Sequence, residues 1–147
     1  MKAVIQRVRA TSLSVEGKLI SQIPFGLAVY LGVKDGDGEQ LCAKMAGKIA
    51  RLRVFEDEEG KMNRSVADVG GEVLLISQFT LYGDCSHGNR PSFTLAARPE
   101  VARPLYEKVA AELSALGVTV KTGVFGADMK IEQFNDGPVT VICEMLS

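Results

Sequence analysis

Residues 73–80 read Val-Leu-Leu-Ile-Ser-Gln-Phe-Thr, and they form the most apolar strand-like stretch of the chain. The apolar run predicts a buried strand over Val73–Phe79. Ser77, Gln78 and Thr80 then place hydroxyl and amide groups at the point where that strand reaches the surface. The stretch therefore predicts a central strand of a sheet and a cluster of polar groups at its end.

A second segment, Asn135–Thr140, interrupts a strand pattern with Gly137-Pro138 before the pattern resumes as Val139–Ile142. Proline has no N–H for a sheet ladder, so it belongs at a strand start, an edge or a bulge. An X-Pro bond is also the common place for a cis peptide, which costs only about 0.5–1 kcal/mol there. Base rates favour an ordinary trans turn, and the residues alone leave both geometries open.

The remaining segments predict the fold class from their periodicity. Apolar residues at helical spacing predict one helix over residues 39–51 and another over Pro99–Leu116, which Gly117 ends. The order of elements predicts one α+β domain over residues 1–147, with a mostly antiparallel sheet that curls toward a barrel and two helices packed on it. The predicted strands are Ala3–Val15, Leu19–Ile23, Leu27–Leu31, Arg53–Glu56, Lys61–Met62, Val73–Phe79, Val118–Val124, Lys130–Phe134 and Val139–Met145.

Composition excludes several classes of protein. The chain has 147 residues, 46% of them hydrophobic and 24% charged, which argues against disorder. No apolar run approaches the roughly 18 residues of a membrane span, and no signal peptide precedes Gln6 and Arg7, so we expect a cytoplasmic protein. The net charge of -1 disfavours a general nucleic-acid binder but leaves room for a local basic patch.

Residue types needed for nucleophilic or metal chemistry are scarce. The three cysteines show no CxxC spacing, and Cys42 and Cys143 lie in apolar contexts typical of a core. Cys85 and His87 share a polar loop and allow a nucleophile with its base, although neighbours in a loop rarely face each other. His87 is the single histidine, so a Ser-His-Asp triad is disfavoured and no metal or cofactor is expected.

The two segments together resemble the signature of the D-aminoacyl-tRNA deacylases, which remove D-amino acids from mischarged tRNA. Each further match is short, but they occur together in the order and spacing of that family, over nearly the whole chain. These matches are Met1–Val8, Arg53–Asp57, Gly60–Asn63, Arg90–Phe93 and Phe125–Met129.

The resemblance implies a homodimer whose active site lies at the subunit interface and needs no cofactor. Its substrate is the 3′-terminal adenosine of an aminoacyl-tRNA together with the D-amino acid. In the family the bond equivalent to Gly137-Pro138 is cis, and its backbone projects into the partner's pocket against the side chain of an L-amino acid. Arg7 resembles the residue that braces this motif. Glycine has no side chain to block, so glycyl-tRNA is a further expected substrate.

Gln78, Phe79 and Thr80 are the expected catalytic residues. With no base beside it, Thr80 is a weak nucleophile, so backbone N–H groups of Phe79 and Thr80 are the better candidates to bind a developing oxyanion. Gln78 would orient water or the ribose. The alternative is that these polar groups only satisfy hydrogen bonds at a strand end.

Ser77, Phe125, Met129, Gly137 and Pro138 are the expected substrate-binding residues. The resemblance places Phe125 and Met129 beside the adenosine pocket, where an aromatic side chain stacks well on a base. Both are equally compatible with a hydrophobic core.

Two rival functions remain open from the residues: a non-catalytic RNA- or DNA-binding module, and a small-molecule hydrolase or deaminase that cleaves D-amino acid esters without RNA. One departure bears on RNA contacts, since the family usually carries Lys or Arg where this chain has His87.

Overall fold

A single long strand organises the sheet. In the computed structural model, which describes residues 1–147, β1 covers Lys2–Val15 and returns through a tight turn into β2, Lys18–Ile23. Glu16 and Gly17 form this turn, with φ 50° and 78°. The remaining elements are β3 Gly26–Gly32, α1 Gln40–Arg51, β4 Phe55–Glu56, β5 Met62–Arg64, β6 Glu72–Ser77, a 3-10 helix Phe79–Tyr82, α2 Pro99–Ala115, β7 Thr119–Thr122 and β8 Lys130–Glu144.

The predicted fold class is confirmed, and the sheet is mixed in direction. Its strand order is β2-β1-β3-β6-β7, and β8 pairs with the other edge of β1. The three pairs that involve β1 are antiparallel, whereas β3–β6 and β6–β7 are parallel. The parallel pairs arise because α1 lies between β3 and β6, and α2 between β6 and β7, and a helix is the usual crossover between parallel strands.

Side chains rather than a hydrogen-bonded ladder bring the open ends of the sheet together. Lys121 on β7 donates to the carbonyl oxygen of Gln22 on β2 at 2.9 Å and pairs with Glu72 at 3.0 Å. Ser21 on β2 donates to the carbonyl oxygen of Thr122 on β7. The sheet therefore curls nearly into a barrel, as predicted.

The two faces of the sheet carry two hydrophobic cores. Side chains alternate between the faces of a strand, so Leu27, Val29 and Leu31 of β3 pack under the helices, while Ala28 points into the barrel. The helix-side core is the larger one and includes Met45 of α1. Neither helix is long and apolar enough to cross a membrane.

Several predicted strand boundaries differ from the observed ones, and two of the differences lie at the site. The strand predicted over Val73–Phe79 ends at Ser77, and a 3-10 helix begins at Phe79. The strands predicted over Lys130–Phe134 and Val139–Met145 are one continuous strand, β8. A bulge makes this continuity possible, because Gln6 pairs with Thr140 and Val8 with Asn135, which leaves residues 136–139 opposite one residue of β1.

Candidate active site

A cavity of about 640 Å³ opens where β6 ends, beside the start of α2 and the segment before β8. Ser77, Gln78 and Phe79 line one side, and Phe125 and Met129 line the other. Five of the eight predicted site residues therefore meet in one cavity. A second cavity, of about 600 Å³, lies against β1, β2 and β8 and contains none of them.

The chain leaves the sheet abruptly at Gln78. The Gln78 N–H still donates to the carbonyl oxygen of Leu31 at 2.8 Å, and Leu81 N–H then donates to Gln78 at 3.3 Å as the 3-10 helix begins. Gly32 allows this close approach, since a Cβ there would lie 3.0 Å from the Gln78 carbonyl oxygen. The first amides of a helix have no acceptor within it, so the N–H groups of Phe79 and Thr80 remain available.

The Thr80 hydroxyl has no base beside it. It accepts a hydrogen bond from the Gln78 side-chain amide, and Thr80 itself does not line the cavity. His87 lies in the exposed loop, where its Nδ1 contacts the Ser86 hydroxyl at 2.8 Å. Asp84 accepts from the Ser86 N–H and makes no hydrogen bond to the imidazole, so no oriented base is assembled there.

Phe125 and Met129 belong to both the cavity wall and the cores. Phe125 packs against Tyr106 with ring centroids 5.9 Å apart, and the Tyr106 hydroxyl donates to the carbonyl oxygen of Leu75 at 2.7 Å. Met129 packs against the barrel core at a position that Gly123 keeps open, since a Cβ there would lie 2.6 Å from the Met129 Sδ. The two expectations for these residues are thus compatible.

Gly137 and Pro138 are joined by a cis peptide bond and are exposed. Arg7, only 8% exposed, reaches the turn from β1, and its Nε donates to the carbonyl oxygen of Asp136 at 3.1 Å. Its Nη1 donates to the carbonyl oxygen of Val54 at 2.8 Å, which fixes the guanidinium from the other side. Neither Gly137 nor Pro138 lines the cavity of its own chain.

A polar network that the sequence analysis missed flanks this turn. Tyr30 donates to Gln133 Oε1 at 2.8 Å, and Gln133 donates to Gln6 Oε1 at 2.7 Å and also to Asn135. Gln6 in turn donates to Thr140 Oγ1 at 3.2 Å. The network therefore holds a residue on each side of Gly137-Pro138. Polar residues that recur along β8 indicate an accessible face of the strand, but they do not indicate the partners on β1 and β3.

No three His, Cys, Asp or Glu side chains are grouped so that they could hold a metal ion.

Residues 4–144 match the model of a family described as D-Tyr-tRNA(Tyr) deacylase. The chain belongs to this family. A D-aminoacyl-tRNA deacylase of Heliobacterium modesticaldum is 58% identical over 144 residues, which cover 98% of this chain and 96% of that protein. Another from Thermus aquaticus is 55% identical over 98% of this chain and 95% of its own length. The resemblance drawn from the sequence motifs is confirmed.

Two solved structures share this architecture. A protein named c-Myc DNA Unwinding Element Binding Protein is similar with a TM-score of 0.92, at 42% identity over the whole of both chains. A probable eukaryotic D-amino acid tRNA deacylase is similar with a TM-score of 0.82, at 17% identity over 98% of each chain. The second similarity concerns the fold alone.

Burial of the cavity wall predicts a loss of stability in alkali. Desolvation raises the pKa of Tyr106, in the cavity wall, to about 12 from an ordinary value of 10.0. Burial also raises the pKa of Tyr30, which lies outside the cavity in the network with Gln133. The folded state thus keeps protons that the unfolded state loses, so the contribution to stability is complete below pH 10 and disappears as pH rises to about 12. Urea unfolding at about pH 9 and about pH 11 should give a lower free energy of unfolding at the higher pH. The fall should be smaller in Tyr106→Phe, and an equal fall in the variant would contradict the assignment.

Proposed function

We propose that this protein hydrolyses the ester bond of D-aminoacyl-tRNA in the cytoplasm and releases the D-amino acid and free tRNA. One observation carries the proposal: in a chain of this family, the end of β6 and the segment 125–129 meet in one cavity of about 640 Å³. Its wall combines apolar side chains for a base with amide and hydroxyl groups at the point where an ester would lie.

Backbone amides supply the electrostatic part of the reaction. When water attacks the ester carbonyl, negative charge develops on its oxygen, and fixed N–H donors stabilise that charge without reorganisation. The amides of Phe79 and Thr80 precede Leu81, whose N–H is the first to donate within the 3-10 helix, and this supports their role as free donors. Gln78 lines the same cavity and orients the attacking water or the ribose.

The substrate handles the proton. No histidine or metal cluster lies beside Ser77 or Thr80, whereas the terminal ribose carries a free 2′-OH next to the 3′-ester. That hydroxyl is within hydrogen-bonding reach of the attacking water or of the leaving oxygen. The protein then contributes chiefly position and oxyanion binding, which together lower a barrier by several kcal/mol.

Selection against L-amino acids is assigned to the Gly137-Pro138 turn. A backbone barrier suits this task because it cannot rotate away as a side chain does, and a clash excludes one enantiomer without extra contacts to the other. The hydrogen bond from Arg7 to the Asp136 carbonyl oxygen and the network around Gln133 support a fixed position for the turn. Glycyl-tRNA passes the barrier because it has no side chain to clash.

A second copy of the chain is the proposed source of that barrier. The turn is exposed and does not line the cavity of its own chain, so it is available to a partner. β8 pairs with β1 along one edge only, and it exposes 65% of Phe134 and 66% of Ile142. An unpaired strand edge with exposed apolar side chains is a surface that association covers.

Binding to DNA without catalysis is the rival function, favoured by the name of one similar structure. The net charge of -1 disfavours it, since such binders usually carry a basic excess.

Turnover of aminoacyl-tRNA distinguishes the deacylase from a non-catalytic DNA-binding protein. Purified protein should deacylate D-tyrosyl-tRNA and glycyl-tRNA while sparing L-tyrosyl-tRNA by orders of magnitude, as followed by release of labelled amino acid. Similar rates for the D- and L-tyrosyl substrates would refute the proposed selectivity.

A heterodimer of two variants tests whether the Gly137-Pro138 turn of one chain blocks the pocket of the other chain. In Gly137→Ala, a Cβ would lie 2.6 Å from Val139 N, so the turn shifts and L-tyrosyl-tRNA is expected to be cleaved. In Phe79→Pro, one oxyanion donor is lost at the first helical position, where proline fits the backbone. A heterodimer of the two variants has one intact pocket facing an intact turn, and it should again reject the L-substrate. Cleavage of L-tyrosyl-tRNA by the purified heterodimer would place the barrier in the same chain as the pocket.

Substitutions at the 3-10 helix separate the backbone mechanism from a threonine nucleophile. Thr80→Ala should keep substantial activity, because its N–H survives. Phe79→Pro should lose about 10²- to 10³-fold in kcat relative to Phe79→Ala, which retains the N–H but not the ring. A tRNA with a 2′-deoxy terminal adenosine and an intact 3′-ester should react very slowly in single-turnover assays.

The opposite pattern would overturn this mechanism. If Thr80→Ala is inactive while the deoxy substrate is cleaved at the normal rate, the Thr80 hydroxyl is the nucleophile.

A further inference from the structure

The rim of the cavity carries an exposed pair of aromatic rings. Neither the proposed binding of the terminal adenosine nor the proposed hydrolysis uses these rings. Phe79 is 56% exposed and Phe93 is 39% exposed. Their rings meet edge to face, with centroids 5.2 Å apart and an interplanar angle of 71°. Both residues line the mouth of the cavity, whereas Phe125 is tucked against Tyr106 on the inner wall.

The pair is held in place rather than mobile at the tip of a loop. Asp84 and Ser92 form a short antiparallel bridge with two backbone hydrogen bonds, of 2.7 and 2.9 Å, directly before Phe93. Gly83 leaves room for the ring, since a Cβ there would lie 2.9 Å from Phe93 Cε1. Exposed aromatic area on a fixed frame is costly to leave in water and therefore indicates a ligand.

The charge around the pair identifies the class of that ligand. Between Asp84 and Glu100 the chain has no acidic residue but contains Arg90, Arg98 and His87. Both arginines are exposed, neither is a member of any ion pair in the structure, and Arg98 lines the cavity. Aromatic faces flanked by cationic side chains are the usual platform for unpaired nucleotides, whose bases stack and whose phosphates are neutralised.

We infer that Phe79 and Phe93, with Arg90 and Arg98, bind the single-stranded nucleotides that immediately precede the terminal adenosine of the substrate. This assignment rests on the proposed function and extends it from the aminoacyl-adenosine to the RNA that carries it. The base next to the terminal adenosine stacks on the aromatic pair, and the two guanidinium groups contact the phosphates that lead to it. The surface thereby accounts for RNA binding by a protein whose net charge is -1.

A truncated substrate tests the assignment, because D-tyrosyl-adenosine carries the ester and the adenosine but no preceding nucleotide. One stacked base contributes roughly 5- to 150-fold in affinity. Phe93→Ala should therefore lower kcat/KM for D-tyrosyl-tRNA by about tenfold more than for D-tyrosyl-adenosine. Phe93→Tyr keeps a ring and should restore the ratio. Phe25→Ala removes a comparably exposed phenylalanine at the opposite end of β3, and it should leave kcat/KM unchanged for both substrates.

Salt dependence tests the arginines. The RNA used is single-stranded, ends in CCA and carries no amino acid. Arg90→Gln and Arg98→Gln should each reduce the magnitude of the slope of log affinity against log salt by about 0.7 for this RNA. Arg51→Gln, at the exposed end of α1, is the matched control and should leave the slope unchanged. Binding of this RNA needs no hydrolysis, so it reports on the surface even if the wild-type protein cleaves neither ester, the result that would refute the proposed function.

Three results would overturn the assignment. One is an equal effect of Phe93→Ala on the two esters, and another is no effect on either ester or on RNA binding. The third is a change in molar mass by light scattering, which would assign the aromatic pair to a contact between subunits.

Discussion

Antiparallel pairing between β1 and β8 is the constraint on which the rest of the structure depends. It runs from the Lys2–Glu144 pair to the Ser14–Lys130 pair and is irregular only between Gln6 and Ala10, where β8 bulges opposite Arg7 and the register shifts again after Val8. The bulge provides the space that Gly137-Pro138 needs, and β1 supplies Arg7, which hydrogen-bonds to the turn. Because β1 also pairs with β3, and β3 with β6, the turn and the cavity are attached to one rigid sheet.

The spacing of apolar residues along the chain made the helices and most strands predictable. The apolar spacing of Leu41, Met45 and Ile49 depends only on neighbours along the chain, and it predicted α1 to within a residue of its observed start. The strand ends at the site were harder to predict from the sequence. Phe79 follows an apolar run and looks like part of the strand, but the 3-10 helix forms because Gly32, far away in sequence, lets the chain turn against it.

The candidate site was predictable to the extent that its residues are contiguous in sequence. Ser77, Gln78 and Phe79 were expected together, and in the structure they line one cavity with Phe125 and Met129. The hydrogen bonds among Tyr30, Gln133 and Gln6 were not predictable, because they join residues 103 and 127 positions apart. Such contacts follow from the register between distant strands, which periodicity does not specify.

The distance in sequence between β1 and β8 also sets the order of events during synthesis. β1 can pair with β2 and β3 as soon as they emerge, but its other edge has no partner until residues 130–144 are made. A nascent chain therefore presents a long open strand edge, which is a template for pairing with other chains. When copies are crowded on one message, β8 of a neighbour fits that edge equally well, so exchange of this strand between copies is the characteristic misassembly of the topology.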